Sequence, residues 1–487
     1  MYSATDDDFA RMHLFRFDVS DSSEENRFTG KQKTKAPDMK KLIPVSCFLL
    51  IALIGRTANA TDLLEIFQQA QRNDAAYAAA QAQYQAQQER LPQARAGLLP
   101  NINFDAGYDY NDLDVQYSSV QFNSGQRDFE SYDYGISISQ PLFRRQNKLG
   151  YDQAKIQVSQ AETDLELANQ DLVLRTATAY FDILRARANV TNIRSLKSSV
   201  TQQLEVAKRN FAVGTATITD QREAQARYDQ VIAQEIGFLN ELQVSTYALE
   251  VLTGQSVQET ELAGLQLPVV LSPPAPGDIN AWVSQAYRSS LQALRAKQDL
   301  AIAETEIRLQ RAGHAPTLDA IGTLSGAYQG DGVFGVETDT RTGVIGLQLS
   351  LPIYQGGAIS SRTREAEALH QRAAQELENT RRGVALNTRE AYLGVSTGIA
   401  EVNALRQAVE STELQVESSK LGYEVGVRVA VDVLNAETLL AVARRDLIQA
   451  VYNTILSQLR LQAAIGRLVQ ADLQSVNDML AKGGSQL

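Results

Sequence analysis

The chain has 487 residues, with 57 acidic and 46 basic side chains, a formal net charge of −11, three histidines and one cysteine. An acidic balance of this size argues against nucleic acid as a partner, and a single cysteine excludes an internal disulfide or a thiolate metal cluster. His314 and His370 stand in no ligand-spaced group, so no metal is expected, and no nucleophile-and-base arrangement or phosphate loop marks an enzyme or a cofactor site.

From Met39 the chain reads MKKLIPVSCFLLIALIGRTANA: two lysines, an apolar run from Leu42 to Ile54 and a small-x-small site at Ala58-Asn59-Ala60. This is the make-up of a secretory signal peptide over 39–60, too short for a spanning helix. Translation is therefore expected to start at Met39 and the mature chain near Thr61, with 1–38 a mis-assigned upstream extension; a disordered arm of mixed charge is the other reading. Cys47 falls inside the leader. Residues 1–60 hold 9 of the 46 basic and 8 of the 57 acidic residues, which leaves 37 against 49 and a net charge of about −12.

Residues 63–97 are rich in Ala and Gln and predict one long helix, and 279–313 predict its counterpart; Pro100 and Pro316 stop them. The period then changes to two. Ile102, Phe104, Ala106, Tyr108 and Tyr110 alternate with polar residues over 101–111, and Tyr132, Tyr134, Ile136 and Ile138 do so over 132–140. Further on, 318–328 and the alternation of Ile345, Leu347, Leu349 and Leu351 give two more strands. Polar joins are expected at about 112–128 and 329–342. Four strands of this length can cross a bilayer at a tilt, but four cannot close a barrel, and an open edge in lipid leaves backbone groups unsatisfied. Either they pack in a soluble sheet or several chains pool them; the apolar face and the export signal favour pooling.

Beyond Pro141 and Pro352 the chain turns helical for more than sixty residues. Ala154, Val158, Ala161, Leu165, Ala168 and Leu172 alternate spacings of four and three, a coiled-coil seam, and Ala366, His370, Ala373, Leu377, Thr380 and Val384 repeat it. His370 fits a packed or partly solvated seam position. A helix over 150–211 would run roughly 90 Å, more than an ordinary globular domain holds. Two short turns, FAVGTATITD at 211–220 and YEVGVRVAVD at 423–432, then lead into helices over 219–253 and 431–465 that end at Gly254 and Gly466. Trp282 suggests packing only.

The pairs Gly214 and Gly426, Asp220 and Asp432, Tyr180 and Tyr392, and Gly254 and Gly466 all share one offset along the chain. One supersecondary plan is used twice. The expected organisation is a first repeat over 61–254, a proline-rich linker over 255–278, a second repeat over 279–466 and a C-terminal segment and tail over 467–487.

LLP at 98–100, TATAYF at 176–181, ITD at 218–220, LPIYQGG at 351–357, GYEVG at 422–426 and VDVL at 431–434, taken together, resemble the TolC-like outer-membrane efflux and secretion channels. The resemblance covers nearly all of the chain after the leader. It implies an α+β membrane protein in which a homotrimer forms a twelve-stranded β-barrel in the outer membrane of a Gram-negative bacterium. Twelve helices would continue that barrel as a tunnel across the periplasm, with the linker and C-terminal segment as an equatorial belt. The implied role is an exit duct for drug efflux or type I protein secretion. The implied partners are a periplasmic adaptor (membrane fusion) protein, an inner-membrane RND, ABC or MFS transporter and outer-membrane lipid.

Carried over by motif, the resemblance makes the two helix-turn-helix ends a periplasmic gate, closed by Tyr423 and Arg428 of one hairpin against Thr219 and Asp220 of another. Asp220, with Glu223 three residues on, also fits a simple helix cap. Asp432 matches the outer of two acidic positions that ring the tunnel axis, and Asn435 stands at the inner one. Half of that charge is missing, so weaker block by multivalent cations and weaker cation selectivity are expected; Asp432 could equally be a cap and Asn435 a solvated neighbour. A structural protein, an exported coiled-coil spacer or adhesin stalk, is the alternative function, although it has no need of four alternating strands or a repeat.

Overall fold

A computed structural model describes residues 61–116, 118, 124–258, 261–265, 269–330 and 336–480. The expected upstream extension and leader, Cys47, Pro268 and the tail at 481–487 lie outside the described residues.

The Ala- and Gln-rich stretch is three helices rather than one: α1 (Leu63–Asn73), α2 (Ala75–Gln88) and α3 (Arg90–Ala96). Asp74 makes the first break. Its N–H closes α1 on Ala70 O at 2.7 Å while its carboxylate caps α2 by accepting from Tyr77 N at 2.7 Å. The break at Glu89 lies three residues before Pro92, whose ring would clash with the carbonyl of a continuous helix four residues back. The counterpart stretch also divides, into α6 (Ile279–Ser289) and α7 (Leu291–Arg311), with Ser290 extended between them and a 3-10 turn at Ala312–His314.

The strands are longer than their alternation predicts. β1 (Asn101–Val115), β2 (Gly125–Phe143), β3 (Thr317–Gln329) and β4 (Thr338–Ser350) form one antiparallel sheet in chain order, so the expected polar joins shrink to 116–124 and 330–337. The apolar residues change parity at 111: Ile102 to Tyr110 point one way, while Leu113, Val115 and Phe129 point the other, with Asp112, Asp114 and Asp128 on the face the tyrosines occupied. A pattern that reverses phase reads as an ended strand, but the ladder continues through it. β2 also runs on past Pro141, with a bulge between Pro141 and Phe143.

Two helices dominate the rest. α4 (Arg145–Ala212) has 68 residues and α8 (Ala358–Glu424) has 67, about 100 Å each at 1.5 Å per residue. Each folds back on a shorter partner, α5 (Ile218–Thr253) or α9 (Ala430–Ala464). The seam positions Ala154, Ala161, Leu172, Ala366, Ala373, Leu377 and Val384 are buried, and His370 is half-buried. Alanine at every second core position lets the helix axes approach. The C-terminal segment is folded: α10 (Gln470–Asn477) packs against α1, and Leu480 bridges to Leu265 in the linker.

The largest core lies where α1, α4, α5, α9, α10 and the linker meet, around Phe67, Leu172, Tyr180, Phe181, Leu249 and Ile455. A second gathers Val384, Val395, Leu461 and Ile465 around Trp282. The tryptophan does more than pack, since its indole N–H donates to Pro276 O at 2.8 Å and ties down the linker. Matching junctions seal the two halves: Asn73 Nδ2 donates to Thr253 O at 2.6 Å, and Ser289 Oγ donates to Ile465 O at 2.6 Å, each beside a left-handed glycine, Gly254 or Gly466.

Candidate functional site

The sheet has two chemically opposed faces. Residues directly opposite on antiparallel strands share a face, so the register gives rows across the sheet: Ile102, Ile138, Gly322 and Ile345; Phe104, Ile136, Leu324 and Gly343; Ala106, Tyr134, Gly326 and Arg341; Tyr108, Tyr132, Tyr328 and Asp339. The band is apolar except for the Arg341–Asp339 pair at its β4 end. Most of these side chains are exposed, Phe104 to 68 % and Ile345 to 96 %. The first and last of these rows are six residues apart, about 20 Å along the strands. The band ends in an aromatic row, with Tyr132 and Tyr328 stacked at 4.7 Å, and aromatic girdles of this kind flank the lipid-facing band of outer-membrane barrels. The opposite face carries Asn103, Asp105, Asp109, Asp133, Ser137, Thr323, Ser325 and Gln348. No helix among the described residues is long and apolar enough to cross a membrane.

At the foot of the sheet, Arg144 joins strand to helix. Its guanidinium donates from Nε and Nη2 to the two carboxylate oxygens of Asp319 at 2.8 and 2.7 Å. Asp319 is buried on the polar face of β3, so the planar bidentate fit fixes where α4 leaves the sheet.

Halfway down, side chains of the long helices strap the linker. Tyr180 on α4 donates to Ala263 O at 2.7 Å, and its repeat counterpart on α8, Tyr392, donates to Gly277 O at 2.6 Å. Arg187 and Arg406 reach the carbonyls of Leu262 and Val269. The Tyr180 phenol is so deeply buried that desolvation pushes its pKa well up, and it stays a neutral donor.

The hairpin ends are built by local chemistry. Gly214 and Gly426 sit at φ +78° and +80°, a left-handed conformation that only glycine adopts cheaply. Thr217, not Asp220, is the cap of α5: Thr217 Oγ1 accepts from Asp220 N at 3.2 Å while the Asp220 carboxylate accepts from Thr217 N at 2.8 Å. Those bonds hold the Asp220 carboxyl below the usual carboxylate range. Asp432 likewise accepts from Val429 N at 3.3 Å, and lies 3.7 Å from Arg428. Thr219 is exposed.

Within the chain, then, Arg428 reaches Asp432 rather than Asp220. Tyr423 Oη accepts from Asn210 Nδ2 at 3.4 Å, and Asn435 Oδ1 accepts from Arg227 Nη2 at 2.9 Å. Sequence reasoning missed Thr217, Asn210 and Arg227. The spacing Thr217-x-x-Asp220 was a readable capping box; the other two act only through tertiary proximity. No group of three His, Cys, Asp or Glu among the described residues is placed to hold a metal.

Comparison with known proteins agrees with this geometry. The family model for outer membrane efflux proteins matches residues 66–255 and 282–467. The chain is 34 % identical over 445 residues to outer membrane protein TolC of Vibrio cholerae, covering 90 % of this chain and 98 % of that one. It is 28 % identical over 431 residues to the proteases secretion protein PrtF of Dickeya chrysanthemi, covering 88 % and 93 %. The crystal structure of the Campylobacter jejuni CmeC outer membrane channel superposes with a TM-score of 0.73 at 17 % identity, covering 86 % of this chain and 89 % of that one. A sheet with one apolar and one polar face, set on helices too long for a globule, is what a channel wall requires, and the chain belongs to the outer membrane efflux protein family, whose place is the cell outer membrane.

Proposed function

We propose that three copies of this chain close one exit duct, a twelve-stranded barrel in the outer membrane continued by a twelve-helix tunnel through the periplasm. The observation that carries this is the open sheet: β1 and β4 have bare outer edges, and the apolar face has no cover. In lipid each unpaired backbone group costs several kcal/mol, so β1 of one copy must pair with β4 of another. Two copies would give eight strands, whose interior side chains fill; twelve leave a passage.

A duplicated plan supplies the helical half of the argument. α9 packs on α4 and buries Leu456 and Leu459; the repeat counterparts of these two on α5, Val244 and Tyr247, are more than half exposed. The matching cover for α5 is α8 of the next copy, which would place the same contact alternately within and between chains around the ring. Light scattering in detergent and planar-bilayer recording test this together. A trimer that conducts is expected; a stable monomer without current would sink the proposal.

The lower end is the gate, recruited by a periplasmic adaptor protein and an inner-membrane transporter, for drug efflux, type I secretion or both. Tyr423 and Arg428 would meet Thr219 and Asp220 across copies, since within one copy they have other partners. A hydrogen bond to a charged group contributes about 1.5–3 kcal/mol. Combining Tyr423→Phe with Arg428→Gln should therefore raise the open fraction about tenfold or more and increase single-channel conductance. Unaltered conductance in that double variant would remove these residues from the gate.

A further inference from the structure

The proposed gate holds a cation with no carboxylate partner. Arg227, half-buried on α5, donates from Nη2 to Asn435 Oδ1 at 2.9 Å and from Nη1 to Gln230 Oε1 at 3.4 Å, and both acceptors are neutral. Among the described residues no carboxylate lies within ion-pair distance of it. Three other cations at this end have carboxylate partners: Lys208 with Glu205, Lys420 with Glu437 and, more loosely, Arg428 with Asp432. Arg209 and Arg222 also lack an ion pair among the described residues, but both are exposed. Glu223 and Asp229, on the same helix as Arg227, are exposed and out of ion-pair range of it; Asp229 accepts from Gln225 instead.

The family resemblance places two positions of α9 around the tunnel axis, Asp432 and, almost one turn beyond it, Asn435. An aspartate there would meet Arg227 as an ion pair and cancel it. An asparagine accepts the same hydrogen bond and leaves the positive charge standing. Arg227, Asn435, Arg428 and Asp432 together carry one net positive charge per chain, repeated around the ring, where two acids would have given none.

We propose that Arg227, displayed by Asn435, makes this constriction admit anions, so that carboxylate, phosphate or sulfonate groups on cargo pass it in preference to cations. The proposal rests on the duct reading above and adds the sign of the selecting charge. It goes further than the loss of one acid, which predicts weakened cation preference but no role for α5.

The test is the reversal potential of the full-length channel in planar bilayers under a potassium chloride gradient, with a trivalent cation added afterwards as a blocker. Wild type is expected to pass chloride at least as readily as potassium and to resist the blocker. Arg227→Gln should lower the chloride-to-potassium permeability ratio at least about threefold, the effect expected of removing a unit charge if it borders the ion path, and Arg227→Lys should retain most of it. Asn435→Asp should lower the ratio similarly and confer block. Trimer formation by each variant, checked by light scattering, confirms that folding is intact. Current with an unaltered ratio in Arg227→Gln would overturn this inference and leave the duct standing; absence of current in the wild type would overturn both.

Discussion

Phe104→Arg is expected to abolish assembly into the outer membrane, while Asn103→Arg, one residue earlier, leaves assembly intact. Neighbours on a strand point to opposite faces. Phe104 belongs to the apolar row with Ile136 and Leu324, and Asn103 to the polar row with Ser137 and Thr323. An arginine on the lipid face near the bilayer midplane costs about 2–4 kcal/mol, and a threefold assembly multiplies that to about 6–12 kcal/mol, comparable to the whole stability of a folded domain. The same side chain on the polar face stays in water. Trimer yield from isolated outer membranes measures the difference. Equal yields from the two variants would mean that the sheet is not oriented in lipid as argued.

The same contrast explains what could be read from sequence. The membrane band was legible because lipid on one side and water on the other impose a period of two on residues close together in the chain. On the duct reading neither face lies in lipid beyond the tyrosine row and the constraint lapses; there Asp112, Leu113 and Asp114 follow the opposite phase while the backbone ladder continues. The turns at Gly214 and Gly426 were legible for a similar reason: a left-handed residue is dictated by the few residues around it. The break at Asp74 was not: its capping bonds are local, but the arginine that lets its carboxylate be buried there lies 101 residues away. Arg227 and Asn435, 208 residues apart, were equally hidden as a pair. Sequence showed that position 435 lacked an acid; only the fold showed that a guanidinium occupies the space an acid would have neutralised.

Replacing Asp74 with alanine should cost about 2–4 kcal/mol, from the lost cap of α2, about 1 kcal/mol, and the lost hydrogen bonds to a charged group, about 1.5–3 kcal/mol. Asp74 is 4 % exposed and accepts from Arg175 Nη1 and Nη2 at 3.0 and 3.1 Å while capping α2. Asp171, bonded to the same arginine at 2.6 Å, is exposed, so Asp171→Ala should cost under about 1 kcal/mol. In the second repeat the counterparts of Asp74 and Arg175 are Ser290 and Asn387. The second repeat carries neither charge at these positions, as expected if neither is tolerated alone. The Arg175 guanidinium holds the Asp74 carboxyl below its unfolded value of 3.8. A depressed carboxylate pKa stabilises fully above the unfolded value, and that contribution is lost as pH falls through the native one. The melting temperature of the trimer in detergent should therefore separate wild type from Asp74→Ala widely at pH 7, and the gap should narrow below pH 4. If Asp74→Ala and Asp171→Ala melted together at pH 7, the arginine would be stabilised by its exposed partner, and the kink between α1 and α2 would need another cause.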